Sequence, residues 1–463
     1  MADEDPTDLL FRQAWSALGG DSAQGALVEF EGDGTGLLPS AFASLPAMSA
    51  AVAASTLAVS VLDAVRRQGQ PVPVVIDRQH VAVAARSEHY ARSAAVTKED
   101  RITPLSLFWS TADGAWFRVH GEYPWHHDRA LAVLGCEDNH RSVKRAVATW
   151  RAQDLEDALE AAGALGYAVR TSAEWGSHPQ GKAVAALPLM ETNVGVGTVR
   201  SLGSGRAAAG FRVLDMTRVL AGPIATRTLA AWGAEVLRLD SPRLPELPIH
   251  ALDMMSGKRS AELDLADRVG RVRLEELLSS ADMLVQGYRP GALARFGLTP
   301  EALAQRHPHL SVITLSAWGP LGPWSQRRGF DSLVQCVTGI ATTEGSNDRP
   351  GWLPAQVLDH ATGYLAAAAS LLAFASAQHD GRPRAVRLSL AQTARWLSEI
   401  GSDDAEAPRP VDVERYRVVL RGARTPVEVI GPPGRLADLS PSWTFTTDPG
   451  ADPPVFSSGA APT

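Results

Sequence analysis

Phe211-Arg-Val-Leu-Asp-Met216 runs into Thr217-Arg-Val-Leu-Ala-Gly-Pro223, then a stretch of helix formers to Trp232, Gly233, and Glu235-Val-Leu-Arg-Leu239. A largely apolar run, a turn, a helix, a glycine stop and a second apolar run make a βαβ unit, so a parallel sheet with helices on both faces is implied. Further strands are expected at 260–265, 283–286, 310–315 and 385–390. The fold expected is α/β: a Rossmann-like parallel-sheet domain over residues 211–400 plus a smaller α+β domain. Ligands of such sheets bind at the carboxyl ends of the strands.

The chain has 463 residues, 45% hydrophobic and 21% charged, enough to bury a sizeable core. A formal net charge of −7 gives no bulk attraction to nucleic acid, so any anionic ligand must be met by local positive groups. The two cysteines, Cys136 and Cys336, lack C-x-x-C spacing and read as thiols in a reducing cytoplasm; no metal-ligand spacing is present. The N-terminus is acidic where a signal peptide would be basic, and the Ala/Val runs read as broken before membrane length. No nucleic-acid or membrane partner is expected, and the cytoplasm is the expected location.

Upstream, an Ala-rich helix ends near Arg67 and is followed by Gly69 and Val74-Val-Ile-Asp77; downstream, an Ala/Leu-rich run ends near Gln378 and is followed by Gly381 and Ala385-Val-Arg-Leu388. At a shift of 312, Gly69 falls on Gly381, Val74 on Val386 and Ala82 on Ala394. A helix, glycine, strand and helix written twice is the signature of an internal duplication. Position 359 then falls on Ala47, with Pro46 or Leu45 one or two residues away, so the first copy offers no acid where the second has Asp359.

Residues 1–104 therefore read as a degenerate copy of the large-domain segment. Residues 105–200 read as the small α+β domain, with two short strands joined at Asp113-Gly114 and helices near 125–134 and 154–162. Residues 201–210 are a Gly/Ser/Ala-rich linker whose Gly203-Ser-Gly205 precedes its strand with the wrong spacing for a dinucleotide fingerprint. Residues 401–463, rich in Pro, Gly, Ser and Asp, read as a loosely attached tail.

Asp359, in Leu353-Pro-Ala-Gln-Val-Leu-Asp-His-Ala-Thr-Gly363, closes an extended segment and opens a helix. An aspartate there either caps free N–H groups or is a nucleophile beside an oxyanion site, and the helix dipole favours its ionised form.

Six stretches follow in order: Val213 to Pro223, Trp232 to Asp240, Gly257-Lys-Arg-Ser-Ala-Glu-Leu-Asp-Leu265, Ala281-Asp-Met-Leu-Val-Gln-Gly-Tyr-Arg-Pro-Gly291, Arg328-Gly-Phe-Asp-Ser-Leu-Val-Gln335, and Asp359 to Gly363. Over residues 211 to 400 this resembles the family III CoA-transferases, the group that includes formyl-CoA transferase, carnitine CoA-transferase and the 2-methylacyl-CoA racemases. The resemblance makes Asp359 the nucleophile that relays CoA from an acyl-CoA to a carboxylic acid through an aspartyl intermediate. Coenzyme A is then a substrate, no metal takes part, and a homodimer is the implied assembly. Asp331 matches an acid close to the nucleophile, with a helix N-cap as the other reading. Val219, Leu263, Tyr288 and Arg295 match positions that line the adenine and pantetheine path, and Arg328 a basic position that can meet phosphate.

Departures narrow the chemistry. Leu220 replaces a glutamine that contacts acyl intermediates in formyl-CoA transferase, and Phe330 replaces the histidine acid/base of the racemases, which a phenylalanine cannot imitate. Gly287 replaces a usual asparagine and Ser241 a usual basic residue. Lys258 and Arg259 read as an anion-facing turn or as surface. An acyl-CoA:carboxylate CoA-transferase is the leading reading; another CoA-ester enzyme such as an isomerase, or a non-catalytic CoA-binding subunit suggested by Ala47, Gly287 and Leu220, are its rivals.

Overall fold

The computed structural model describes residues 5–94, 96, 103–201, 205–346, 348–401 and 407–457. The acidic start at residues 1–4, Gly203-Ser204 of the linker, residues 402–406 and the last six residues lie outside these ranges.

The main sheet has seven strands: β1 (Met190–Val194), β2 (Arg212–Met216), β3 (Glu235–Asp240), β4 (Arg259–Glu262), β5 (Met283–Gln286), β6 (Ser311–Ser316) and β7 (Arg384–Ser389), in the order β4-β3-β2-β5-β6-β7-β1. Every pairing is parallel except that of β1, which runs antiparallel along β7. Four of the five residues of β2 are buried, as expected of a central strand covered on both faces. From β2 the chain builds β3 and β4 to one side and then returns to build β5, β6 and β7 on the other. The crevice between the carboxyl ends of β2 and β5 is thus the topological switch point.

Two 24-residue helices pack against each other across the sequence: α1 (Ser44–Arg67) and α4 (Val357–Asp380). Between them in the chain lie α2 (Ala221–Ala231) and α3 (Asp331–Val337). Contrary to the reading of broken apolar runs, α1 and α4 are both long and apolar enough to cross a membrane; their apolar windows are 89% and 94% buried inside the protein, as core helices are. α4 also packs on α2. A Cβ on Gly363 would lie 2.7 Å from the Ala221 carbonyl oxygen, so the glycine of the Asp359-His-Ala-Thr-Gly motif is what lets these helices approach.

The helix-strand-helix order from α1 to 84 repeats from α4 to 398, but not at one shift. The helices are offset by 313 residues (44 to 357), whereas the next helix caps, Asp77 and Ser389, are offset by 312. The left-handed residue that ends α1 is Gln68 (φ 53°), not Gly69, against Gly381 (φ 72°) after α4, so the first connection is one residue longer. The strand Val74–Asp77 pairs with Val28–Glu31 in parallel and with Arg435–Leu436 antiparallel, as β7 does with β6 and β1.

The small antiparallel sheet of Phe108–Ser110, Trp116–Val119 and Gly166–Ala168 has its own core around Leu105, Phe117, Leu155 and Leu159. Residues 190–194, expected inside this unit, instead form the edge of the main sheet. Residues 5–94 share one core with the main sheet rather than forming a separate one. The segment from 407 is not loosely attached either. Its strands Arg417–Leu420 and Val427–Ile430 pair with each other and with Arg92–Ser93, and Trp443 is buried with its indole N–H donating to the Arg227 carbonyl. Proline and glycine content misled there because apolar strand residues spaced between them find cover in the first half.

Candidate active site

A cavity of about 1090 Å³ opens at the switch point, lined by Met216, Asp240, Gly287 and Ser316 at or just beyond the ends of β2, β3, β5 and β6. Asp359, Val219, Leu263, Tyr288, Arg295 and Arg328, scattered over 141 positions from 219 to 359, all line it, as do Gly287, Ser241 and Phe330. Asp331 does not reach the cavity wall; it stands behind Asp359. Leu220 is buried in the core, preceding α2.

Asp359 is the third residue of α4 and is not its cap, which is Gln356. Asp331 is likewise not the cap of its own helix, since Phe330 holds that position. The Asp331 carboxylate instead crosses to α4, where Oδ2 accepts the Asp359 N–H at 2.9 Å, while Oδ1 accepts from the Gln335 side-chain amide. Gln335 in turn accepts the Leu353 N–H at 3.0 Å, tying α3 to the segment leading into α4. Among the described residues no group donates a hydrogen bond to the Asp359 carboxylate.

Asp359 is 6% exposed and Asp331 1%. Burial, then Asp331, then Glu88 push the Asp359 carboxyl well above its usual range. Burial pushes Asp331 up to about 6 against the opposing pull of its hydrogen bonds and of His360. Two adjacent buried carboxyls disfavour double ionisation, and this outweighs the helix dipole that was expected to keep Asp359 ionised.

The cavity supplies the positive charge that the whole chain lacks. Among the described residues Arg129, Arg289, Arg295 and Arg328 line it without a carboxylate in ion-pair range. A Cβ built on Gly163 would lie within 4 Å of a guanidinium nitrogen of both Arg129 and Arg328, and burial, Arg289 and Arg129 lower the Arg328 pKa. Such a cluster is a receptor for phosphate or carboxylate oxygens.

The small domain completes the wall with Tyr123, Trp125, His126 and Arg129, which sequence reasoning did not single out because nothing in 120–130 has a chemical motif. His120 stacks on Phe330 with ring centroids 4.0 Å apart. Glu246, also missed, is fully buried and accepts from Val219 N–H (3.1 Å), Arg238 (3.1 Å) and the Tyr123 hydroxyl. It holds Val219 at φ 69°, a strained conformation for a β-branched residue, on the cavity wall.

Lys258 is neither surface nor an anion-facing turn. Its ammonium is fully buried, 2.9 Å from Asp215 Oδ2 and 2.9 Å from the Pro223 carbonyl, and burial lowers its pKa to about 8. Arg259 pairs with Glu235 and Asp452. Lys258 is drawn inward because Asp215, on a central strand, has no water to solvate it.

Residues 209–413 match the family model of CoA-transferase family III. The chain is 32% identical over 205 residues to a probable fatty acyl-CoA transferase of Mycobacterium tuberculosis, covering 41% of the chain and 51% of that protein. A formyl-CoA:oxalate CoA-transferase of Rhodopseudomonas palustris is 30% identical over 214 residues, with coverage of 43% and 50%. An acyl-CoA transferase of Gibberella moniliformis is 29% identical over 292 residues, with coverage of 57% and 51%. The chain thus spans about half the length of the curated relatives it matches. A crystal structure of a Mycobacterium tuberculosis protein, orthorhombic form, matches with 31% identity and a TM-score of 0.40, covering 41% of this chain and 55% of that one.

Proposed function

We propose that the chain transfers CoA between an acyl-CoA and a carboxylic acid, with Asp359 as the nucleophile. The observation that carries this is the Asp359 carboxylate, buried, free of hydrogen-bond donors among the described residues and facing a cavity of arginines at the switch point of a segment that matches the family III model. A carboxylate acting as cap would be occupied; here Asp331 does that work.

In the reaction, the Asp359 oxygen attacks the thioester carbonyl, the C–S bond breaks and CoA leaves as thiolate, giving a mixed anhydride. The thiolate attacks the aspartyl carbonyl and expels the original acid as carboxylate, leaving an aspartyl-CoA thioester. The acceptor carboxylate then attacks that thioester, and the displaced thiolate takes the acceptor's acyl carbon and releases Asp359. The raised pKa marks Asp359 as a poorly stabilised anion, hence a reactive one once its proton is shed to solvent or to Asp331. Arg129, Arg289, Arg295 and Arg328 fit the CoA phosphates, and Val219, Leu263 and Tyr288 the adenine and pantetheine path.

The first half is an inactive duplicate in this reading: the repeated order of α1, strand and helix supports it, and Pro46, the third residue of α1 as Asp359 is of α4, stands where an acid would be needed. The assembly proposed is a homodimer, tested by light scattering, in which a monomer across micromolar concentrations would mean that the fusion of the two halves has replaced it. Two free, distant cysteines fit a reducing cytoplasm.

The deciding experiment incubates the protein with an acyl-CoA, traps with hydroxylamine and seeks a hydroxamate on Asp359 by mass spectrometry, alongside exchange of label between free CoA and acyl-CoA. Adduct and exchange are expected. If no acyl-CoA gives either, the chain is a non-catalytic CoA-binding subunit.

A further inference from the structure

Directly behind Asp359 lies a buried imidazole–carboxylate contact that the reaction above leaves unused. His360, the next residue, is wholly buried, and its Nε2 lies 3.0 Å from Oε2 of Glu88, itself 6% exposed. Glu88 comes from the short helix Ser87–Tyr90, in the half of the chain that offers no nucleophile.

That turn is held against the site from both sides. Arg86 Nε donates to the Pro354 carbonyl at 2.8 Å, on the segment entering α4. The Ser87 hydroxyl donates to Asp253 at 2.6 Å and accepts from Arg227 at 2.9 Å, while Arg227 and Asp253 pair at 2.6 Å. Three anchors on three elements leave Glu88 one place to go.

Resting on the transferase reading, we propose that Glu88 is a positioning residue for Asp359, acting through the imidazole of His360. Burial alone would raise the Glu88 carboxyl, but the charge and hydrogen bond of His360, with His89, pull it down to about 2. The ionised Glu88 helps raise Asp359, and His360 helps lower Asp331. The groups facing Glu88 and His360 are Asp331, Asp359, His89, Tyr364 and the Arg227–Asp253 pair, so the Glu88 charge bears on how the two aspartates divide their proton. An apolar pair would cost the fold less than a buried carboxylate held by an imidazole, so stability alone gives no reason for it.

The test measures CoA exchange by the full-length protein. Glu88→Gln keeps volume and an acceptor for His360 but removes the charge; kcat should fall about tenfold or more while KM for acyl-CoA stays within about twofold. The acidic limb of the pH–rate profile should move to lower pH, because Asp359 loses a neighbouring negative charge. His360→Gln carries the test from the other side, and the double variant should lose no more than either single one, since both remove one device. Unchanged kcat and pH profile in Glu88→Gln, KM rising in step with kcat, or additive losses in the double variant would each overturn the inference while leaving the transferase reading intact. A wild-type chain with no exchange overturns both.

Discussion

The carboxylate of Asp331 accepts the backbone N–H of Asp359 at 2.9 Å, across two helices whose first residues are 26 positions apart (331 and 357). One aspartate therefore caps the helix that carries the other. Division of labour follows, since the side chain of Asp359 is released from any structural duty and can be spent on chemistry.

Substitution separates the two roles. Asp359→Asn should abolish exchange, a loss on the order of 5 kcal/mol or more in transition-state stabilisation, with no fall in melting temperature. Asp331→Ala should lower stability by about 1 kcal/mol or more, because α4 loses its cap. Exchange near the wild-type rate in Asp359→Asn rules out the nucleophile.

Stability should respond to pH with a definite sign. Asp331 is raised from 3.8 to about 6, so between those values the folded chain binds more protons than the unfolded one. Its contribution is full below about pH 4 and is lost as pH rises through about 6, on the order of 2 to 3 kcal/mol. Asp359→Asn removes the neighbouring charge, so its melting temperature relative to wild type should climb from pH 4 to pH 8. A flat difference across that range would mean the two carboxyls do not share a proton.

Phe330 bears on the choice between transfer and epimerisation. Its ring lines the cavity and is stacked on His120, so no proton carrier stands where the racemases place theirs. In heavy water the α-position of a 2-methylacyl-CoA should take up no appreciable deuterium, as read by mass spectrometry. Rapid uptake would point to a base other than residue 330 and to the isomerase reading.

Lys258 gives a prediction for the fold alone. Lys258→Met would leave Asp215 buried without its cation, supported among the described residues only by the backbone N–H of Thr217 and the hydroxyls of Thr217 and Thr226. The expected cost is about 3 to 5 kcal/mol in urea unfolding. A cost under about 1 kcal/mol would mean that Asp215 takes up a proton instead.

What could be read from the amino acids was whatever repeats locally. The six parallel strands β2 to β7 were placed within a residue or two of their bounds, apart from the end of β4, because alternating helix and strand periods are local signals. The cavity-lining residues between 219 and 359 were found through ordered motifs, most of them at or just after the end of a strand. Glu88, Tyr123 and Glu246 were not, since their partners lie 272, 207 and 27 positions away (His360, Phe330 and Val219) and no short-range pattern marks them. The capping alternative for Asp359 could not be decided for a related reason: position in a helix is legible, but which neighbouring helix delivers a carboxylate to its free N–H is a tertiary fact.

The packing of α1 on α4 also sets a timetable. When α1 leaves the ribosome, the helix that will cover it is still 313 residues from being made (44 to 357). At about 5 to 20 residues per second that is roughly 15 to 60 s during which the newborn chain carries a helix as apolar as a membrane span with only residues 6–17 and 74–84 to cover part of it. Production of this protein in a foreign host is therefore governed by what shields residues 44–67 in that interval, and chaperone supply or slower, cooler growth should decide soluble yield more than any change at the site.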